Sequence, residues 1–168
     1  MSKGNSLRKQ ILAALFAALI CVGTMVVQVN IPFTNGYFNL GDCFILLCAW
    51  LLGPIYGMLA GGIGSALADF LSGYTHYVPG TLIIKGLMGL VAALVFRAIG
   101  NRHPLLSKTA GAFAAEAVMV VGYFLYAWAF LDTALAAASS IPANLLQAAA
   151  GIMAFLLLSK LPLRDLLE

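Results

Sequence analysis

Residues 40–71 read LGDCFILLCAWLLGPIYGMLAGGIGSALADFL, two apolar runs joined by Gly53-Pro54. Whether that pair is a reversal or a kink decides the fold. A Gly-Pro step is strong helix punctuation, because glycine takes up turn conformations and proline cannot continue a preceding helix. Read as a reversal, it closes a short span over 40–52 and opens another over 55–71. The chain is equally apolar outward from this hairpin. A span over 7–29 precedes it and stops at the turn formers Asn30, Pro32, Thr34, Asn35 and Gly36. Spans over 81–99, 109–131 and 141–161 follow, the last closed by Pro162. Polar loops over 72–80, 100–108 and 132–140 separate them. The sequence therefore predicts an all-α, polytopic membrane protein, a bundle of six transmembrane helices forming one integral membrane domain over 1–168.

Composition agrees. Of 168 residues, 62% are hydrophobic and only 9% charged, far from soluble-domain usage. Spans of roughly 20 residues consume most of the length and leave no room for a separate catalytic domain. The N-terminal stretch with Lys3, Arg8 and Lys9 resembles a signal peptide. The apolar run behind it continues to about Val29, long enough to span and stay. Cys21, Cys43 and Cys48 lack metal-ligand spacing and read as small hydrophobes.

Lysine and arginine near span ends stay preferentially in the cytoplasm. Lys3, Arg8, Lys9, Arg97, Arg102, Lys108, Lys160 and Arg164 all fall on the side of the termini, while the loops over 30–39, 72–80 and 132–140 carry no basic residue. Both termini are thus expected in the cytoplasm of a multi-pass protein of the cell membrane. Merging the spans on either side of Gly53-Pro54 would move Arg97, Arg102 and Lys108 to the opposite side, so the charge map independently favours the reversal. The net charge of +3 is spread over one membrane face rather than gathered into a patch for nucleic acid, and none is expected as partner.

The ninth basic residue, Lys85, lies inside the fourth span, about five residues from its outer end, or roughly 7 Å deep. A charge at the centre of a membrane helix costs about 2.5–3.5 kcal/mol on insertion scales, so such residues face a partner, a ligand or the bundle interior. Two readings stay open: a structural ion pair with Asp69, at similar depth on the third span, or a hold on a polar group of a ligand. Glu116 in the fifth span is the other ionisable residue lipid should reject, as a helix bridge or a ligand contact. Asn144 and Gln147, three residues apart, share a face of the sixth span, as interhelical contacts or as partners for a heteroaromatic ring. Tyr123, Tyr126 and Trp128 on the outer half of the fifth span suit either ring stacking or an interfacial aromatic belt. Tyr37, Phe38, Asn39, Tyr74, His76 and Tyr77 add aromatic and polar groups from the outer loops, although an exposed loop histidine ordinarily has no special role. Together these residues describe an outer concavity suited to a small molecule, its candidate contacts being Asn39, Tyr74, His76, Tyr77, Lys85, Tyr123, Trp128, Asn144 and Gln147. In the first span Ala13 with Ala17, and Ala14 with Ala18, place small residues at four-residue spacing, which admits another helix or serves packing within the bundle. Gly57, Gly61 and Gly64, with Gly86 and Gly89, argue for close internal packing.

The stretch Tyr37-Phe38-Asn39-Leu40-Gly41-Asp42, then Leu52-Gly53-Pro54, Gly61 to Asp69, Ser72-Gly73-Tyr74 and Leu82 to Gly86 resembles the substrate-binding S component of energy-coupling factor (ECF) vitamin transporters. The close resemblance covers about a third of the chain, and the six-span layout extends it loosely to the rest. It implies a prokaryotic subunit that captures a vitamin outside the cell, docks through its first helix on a transmembrane coupling subunit carrying two cytoplasmic ATPases, and topples in the lipid to release the ligand inside. It is nearest the branch associated with pyridoxine, hydroxymethylpyrimidine or riboflavin, a vitamin B6-like or pyrimidine ligand being favoured and riboflavin the alternative. No cofactor or metal is implied. The rival classes are an enzyme and a structural, assembly or channel subunit. Paired-carboxylate metal motif, histidine cluster, Gly-x-Ser-x-Gly and phosphate-binding loop are all missing from the sequence, so ATP hydrolysis would fall to partner subunits.

Overall fold

The computed structural model describes residues 3–26, 29–30, 37–131 and 133–163. Pro32, Thr34, Asn35, Gly36 and Arg164 lie outside the described residues, as do the side chains of Lys3, Tyr37 and Phe38. Helix α1 (Lys3–Val26) leads to two short strands, β1 (Val29–Asn30) and β2 (Tyr37–Phe38), paired antiparallel with Val29 opposite Phe38. This ribbon is the one departure from the expected all-helical chain among the described residues. Helices α2 (Gly41–Leu52), α3 (Pro54–Leu71), α4 (Val78–Ile99), α5 (Pro104–Phe130), α6 (Ala134–Ser139) and α7 (Ile141–Leu158) follow, with a 3₁₀ turn over Gly100–Arg102.

Proline marks the start of α3, α4, α5 and α7, where its missing N–H would lack an intrahelical partner anyway. The reversal at Gly53 is real: φ is +91°, a conformation that favours glycine, and its N–H closes α2 on Ala49 O at 3.1 Å. The segment 132–140, expected as an aqueous loop, instead holds α6. Thr133 caps that helix by accepting the Ala136 N–H at 3.3 Å, and the alanine-rich run behind it has the strongest intrinsic helix preference. Likewise α4 and α5 begin earlier than expected, which shortens the loops beside them.

Among the described residues five helical segments are long and apolar enough to cross a membrane: Ser6–Val26, Pro54–Leu71, Val78–Ile99, Pro104–Phe130 and Ala134–Leu158. The sixth expected span, α2, has 12 residues, about 18 Å at the helical rise and short of a ~30 Å hydrocarbon core. The reason is its position. It packs against α1, α3, α4, α5 and α7, so it lies inside the bundle, and nine of its residues are buried. A helix sheathed in other helices need not match the bilayer. Its N-terminal side adjoins the ends of α1, α3 and α5, and its C-terminal side the beginnings of α1 and α5.

Lipid-like solvent is written on the outer faces. On α3, Ile55, Leu59, Ile63 and Leu67 form an exposed stripe at four-residue spacing, and Leu7, Ile11, Leu15 and Leu19 do so on α1. The inner faces are small. A Cβ on Gly89 of α4 would strike the Gly57 carbonyl of α3, and one on Gly61 would lie 2.8 Å from the Lys85 carbonyl. The α3–α4 contact is thus backbone against backbone, as the glycine pattern predicted, and this fixes the height and rotation of Lys85.

Candidate functional site

Each helix end on the site side brings polar residues at helical spacing: Ser65 and Asp69 on α3, Thr81 and Lys85 on α4, Ser140 and Asn144 at the start of α7. Pairs four residues apart share a face, and these faces converge on one cavity, joined by Thr24, Asn39, Tyr77, Tyr123 and Gln147. Its enclosed space is about 50 Å³, and about 570 Å³ when the open mouth is included.

Among the described residues Lys85 is one of the largest of the fully buried side chains. Its ammonium donates to Asp42 Oδ1 of α2, the two side chains being 2% and 1% exposed. The sequence reading offered Asp69 as the candidate ion-pair partner beside a ligand role; the ion pair seen is with Asp42. Asp69 lines the same cavity from α3, but the contact is decided by α2, whose interior position brings its first-turn carboxylate against α4. The second Asp42 oxygen accepts Gln147 Nε2 at 2.7 Å. Gln147 Oε1 in turn accepts the backbone N–H of Asn39 at 3.0 Å and its Nδ2 at 3.3 Å, and Asn39 Oδ1 accepts the Gly41 N–H at 2.9 Å. A buried charge pair is tolerable when its remaining lone pairs and protons are also satisfied, and the chain from Lys85 through Asp42 and Gln147 to Asn39 does this for the carboxylate. It also ties α2, α4 and α7 into one rigid floor.

Above the floor the walls are aromatic. The Lys85 ammonium lies 5.5 Å from the centre of the Tyr123 ring, within cation–π range, and Tyr123 OH shares a hydrogen bond of 3.0 Å with Thr81 Oγ1. Tyr77 meets Tyr123 edge-on at 6.2 Å and Tyr126 at 6.1 Å. Tyr126 OH donates to the His76 carbonyl at 2.7 Å, which holds the loop before α4 against α5. Two hydroxyls in the lining, Thr24 Oγ1 and Ser65 Oγ, are buried and make no hydrogen bond among the described residues. Buried polar groups are normally paired, and these two hydroxyls depart from that rule among the described residues.

Of the nine residues expected from sequence, Asn39, Tyr77, Lys85, Tyr123, Asn144 and Gln147 line the cavity. Three others do not. His76 is exposed and rests on Tyr77 at 4.8 Å and Tyr74 at 6.4 Å. Trp128 is 53% exposed and stacks on Phe124 at 6.0 Å, as an interfacial aromatic does. Tyr74 N–H closes the end of α3 on Asp69 O at 2.8 Å, a turn role. Sequence reasoning passed over Thr24, Ser65, Thr81 and Ser140. The signal for the last three was the four-residue spacing from Asp69, Lys85 and Asn144, and for Asp42 a carboxylate in an otherwise apolar helix.

Glu116, 2% exposed on α5, packs below the ion pair near Gly151, and neither of its oxygens is hydrogen-bonded among the described residues. No grouping of three or more His, Cys, Asp or Glu that could hold a metal ion occurs among the described residues. On α1 the four alanines divide: Ala13 and Ala17 are half-buried against the protein's own core, whereas Ala14 and Ala18 are exposed.

Comparison with known proteins places this architecture. The chain is 37% identical over 134 residues to an uncharacterised protein in the gap 3′ region of Pyrococcus woesei, covering 80% of this chain and 87% of that one. It is 34% identical over 86 residues to a UPF0397 protein of Streptococcus pneumoniae (strain Hungary19A-6), a match spanning 51% of this chain and about half, 47%, of the streptococcal one. A solved structure of the S component of a bacterial ECF transporter superposes with a TM-score of 0.69 at 17% identity, covering 97% of this chain and 99% of that one, which establishes a shared fold. Residues 4–163 match the family model of the ECF-type riboflavin transporter S component, and the chain therefore belongs to that family of membrane transporter subunits.

Proposed function

We propose that this protein is the substrate-capturing subunit of an ECF-type vitamin importer and that the cavity walled by Tyr77 and Tyr123 is its ligand site. The observation that carries the reading is the convergence of Lys85, Asn144, Tyr123 and the two unpartnered hydroxyls of Thr24 and Ser65 on a single cavity. Such a set offers a cation, an amide, a ring face and hydroxyls, which together match a planar heterocycle bearing polar substituents. The enclosed ~50 Å³ is below the ~300–1,000 Å³ of ligand pockets, so capture moves a wall. The loop over 72–77, which meets α5 through the hydrogen bond from Tyr126 to His76 and through ring contacts, is the wall proposed to move.

The family's description favours riboflavin over the B6-like or pyrimidine ligand that the sequence alone suggested. A single-ring vitamin is the second reading, favoured by the small enclosed volume. The termini, with the basic residues of Arg8, Lys9, Arg97, Arg102, Lys108 and Lys160, face the cytoplasm, and α2 completes a sixth pass inside the bundle. The exposed side of α1 at Ala14 and Ala18 receives the transmembrane coupling subunit, whose two cytoplasmic ATPases supply the energy. Titration calorimetry of the purified protein against riboflavin, pyridoxine and hydroxymethylpyrimidine tests the proposal. Tight binding of one of them is expected, and no heat with any would overturn it.

A further inference from the structure

At the opposite end of the bundle, where α1 and α5 begin and α2 and α4 end, lies a second and larger cavity of about 480 Å³. Lys9, Arg97 and Lys108 surround it, with Trp50, Gly53 and Ser107 completing the chemistry of its wall. Among the described residues no Asp or Glu lines it. Helices both start and end here, so their dipoles oppose one another and the basic side chains dominate the local field. Lys108 is held in place, its ammonium 4.3 Å from the centre of the Trp50 ring and donating to Ser159 O at 3.0 Å and Ser159 Oγ at 3.1 Å. Arg97 lies directly over Gly53, where any side chain at 53 would collide with its guanidinium. The glycine that turns the chain therefore also makes room for the arginine head beside the cavity.

We propose that this cavity binds a phosphate group, presented by an anionic phospholipid of the surrounding leaflet. An anion with several acceptor oxygens suits the Arg97 guanidinium and the Lys9 ammonium together, accepting from both donors across one space. The flanks fit the rest of a lipid: Leu105 and Leu106, 70% and 56% exposed, adjoin Pro104 and Ser107, and Leu7 and Ile11 bracket Lys9. Charged wall and exposed apolar flank lie side by side, as headgroup and acyl chain do. A free phosphate offers the same oxygens without the chains.

The test is native mass spectrometry of the full-length protein after equilibration with phosphatidylglycerol or phosphatidylcholine in detergent, with inorganic phosphate as competitor. Wild type is expected to retain phosphatidylglycerol preferentially. Arg97→Gln and Lys9→Gln should each lower that preference about fivefold, the effect of about one basic residue at an anionic surface. Retention unaffected by inorganic phosphate identifies the lipid as the source, and competition by phosphate identifies the soluble anion, both supporting a phosphate site. Equal retention of the two lipids with no phosphate effect overturns the proposal. So does a pattern in which the variants keep lipid but lose association with a coupling subunit, which would make the basic cavity a protein contact. Circular dichroism and vitamin calorimetry should be unchanged in both variants, because neither residue touches the other cavity.

Discussion

Lys85 of α4 and Asp42 of α2 form an ion pair in the interior of the bundle, joining residues 43 apart in sequence that a reading by depth alone had not matched. Their bond has two sides. It satisfies charges that lipid would reject, and it places an ammonium at the floor of the cavity beneath Tyr123.

Lys85→Ala should leave the Asp42 carboxylate buried without its counter-charge and cost about 3–5 kcal/mol, read as a large drop in thermal midpoint in detergent. The double variant Lys85→Met with Asp42→Asn should recover much of that loss, since neutral groups of similar volume carry no uncompensated charge. Vitamin affinity should stay low in the double variant. If calorimetry finds it restored with stability, Lys85 serves the fold and not the ligand.

Thr24→Val and Ser65→Ala separate binding from folding in the opposite direction. Both hydroxyls are buried without a hydrogen bond among the described residues, so removing them should leave the thermal midpoint unchanged or raised. Each should nevertheless weaken binding by about 0.5–1.5 kcal/mol, or two- to tenfold, by taking away one contact to the ligand. A destabilised variant with normal affinity would contradict this assignment.

The two faces of α1 predict different outcomes for the same change. Ala17 is half-buried, and its carbonyl lies 2.6 Å from where a Cβ on Gly64 would sit. Ala17→Leu should therefore overpack the α1–α3 seam and destabilise the protein by about 1–3 kcal/mol. Ala14→Leu, on the exposed side, should leave stability and affinity intact while reducing uptake by cells that express the coupling subunit and ATPases. Normal uptake by Ala14→Leu would remove this side of α1 from the proposed docking surface.

Glu116→Gln should raise the thermal midpoint. The carboxylate is 2% exposed and without a hydrogen bond among the described residues, and an amide of the same shape lowers the cost of burying it by about 1–3 kcal/mol. A fall in stability would mean that Glu116 carries a structural contact. A fall in affinity as large as that of the Lys85 variants would place it in the ligand site.

Much of the architecture was legible in one dimension because hydropathy, proline placement and the Gly53-Pro54 reversal are local properties. A run of apolar residues is an apolar run whatever it packs on, and a proline at a helix start announces itself. The i, i+4 polar pairs ending in Asp69, Lys85 and Asn144 were equally local, although only one member of each was singled out. Tyr74, His76 and Trp128 fall outside the cavity lining because composition puts an aromatic residue at the right depth without giving its azimuth.

The sequence by itself determined that the chain is a helical membrane bundle, where its helices break, which end gathers the basic residues and which polar side chains must be sheltered from lipid. Only the tertiary structure decided that α2 lies inside the bundle, that Lys85 pairs with Asp42, that Ala14 and Ala18 face outward while Ala13 and Ala17 face in, and that Thr24 and Ser65 reach the cavity. The physical reason is that burial is demanded residue by residue, whereas partnership depends on the relative rotation and height of helices. Those are set here by glycine contacts such as Gly57 with Gly89, whose geometry exists only after the backbones have met.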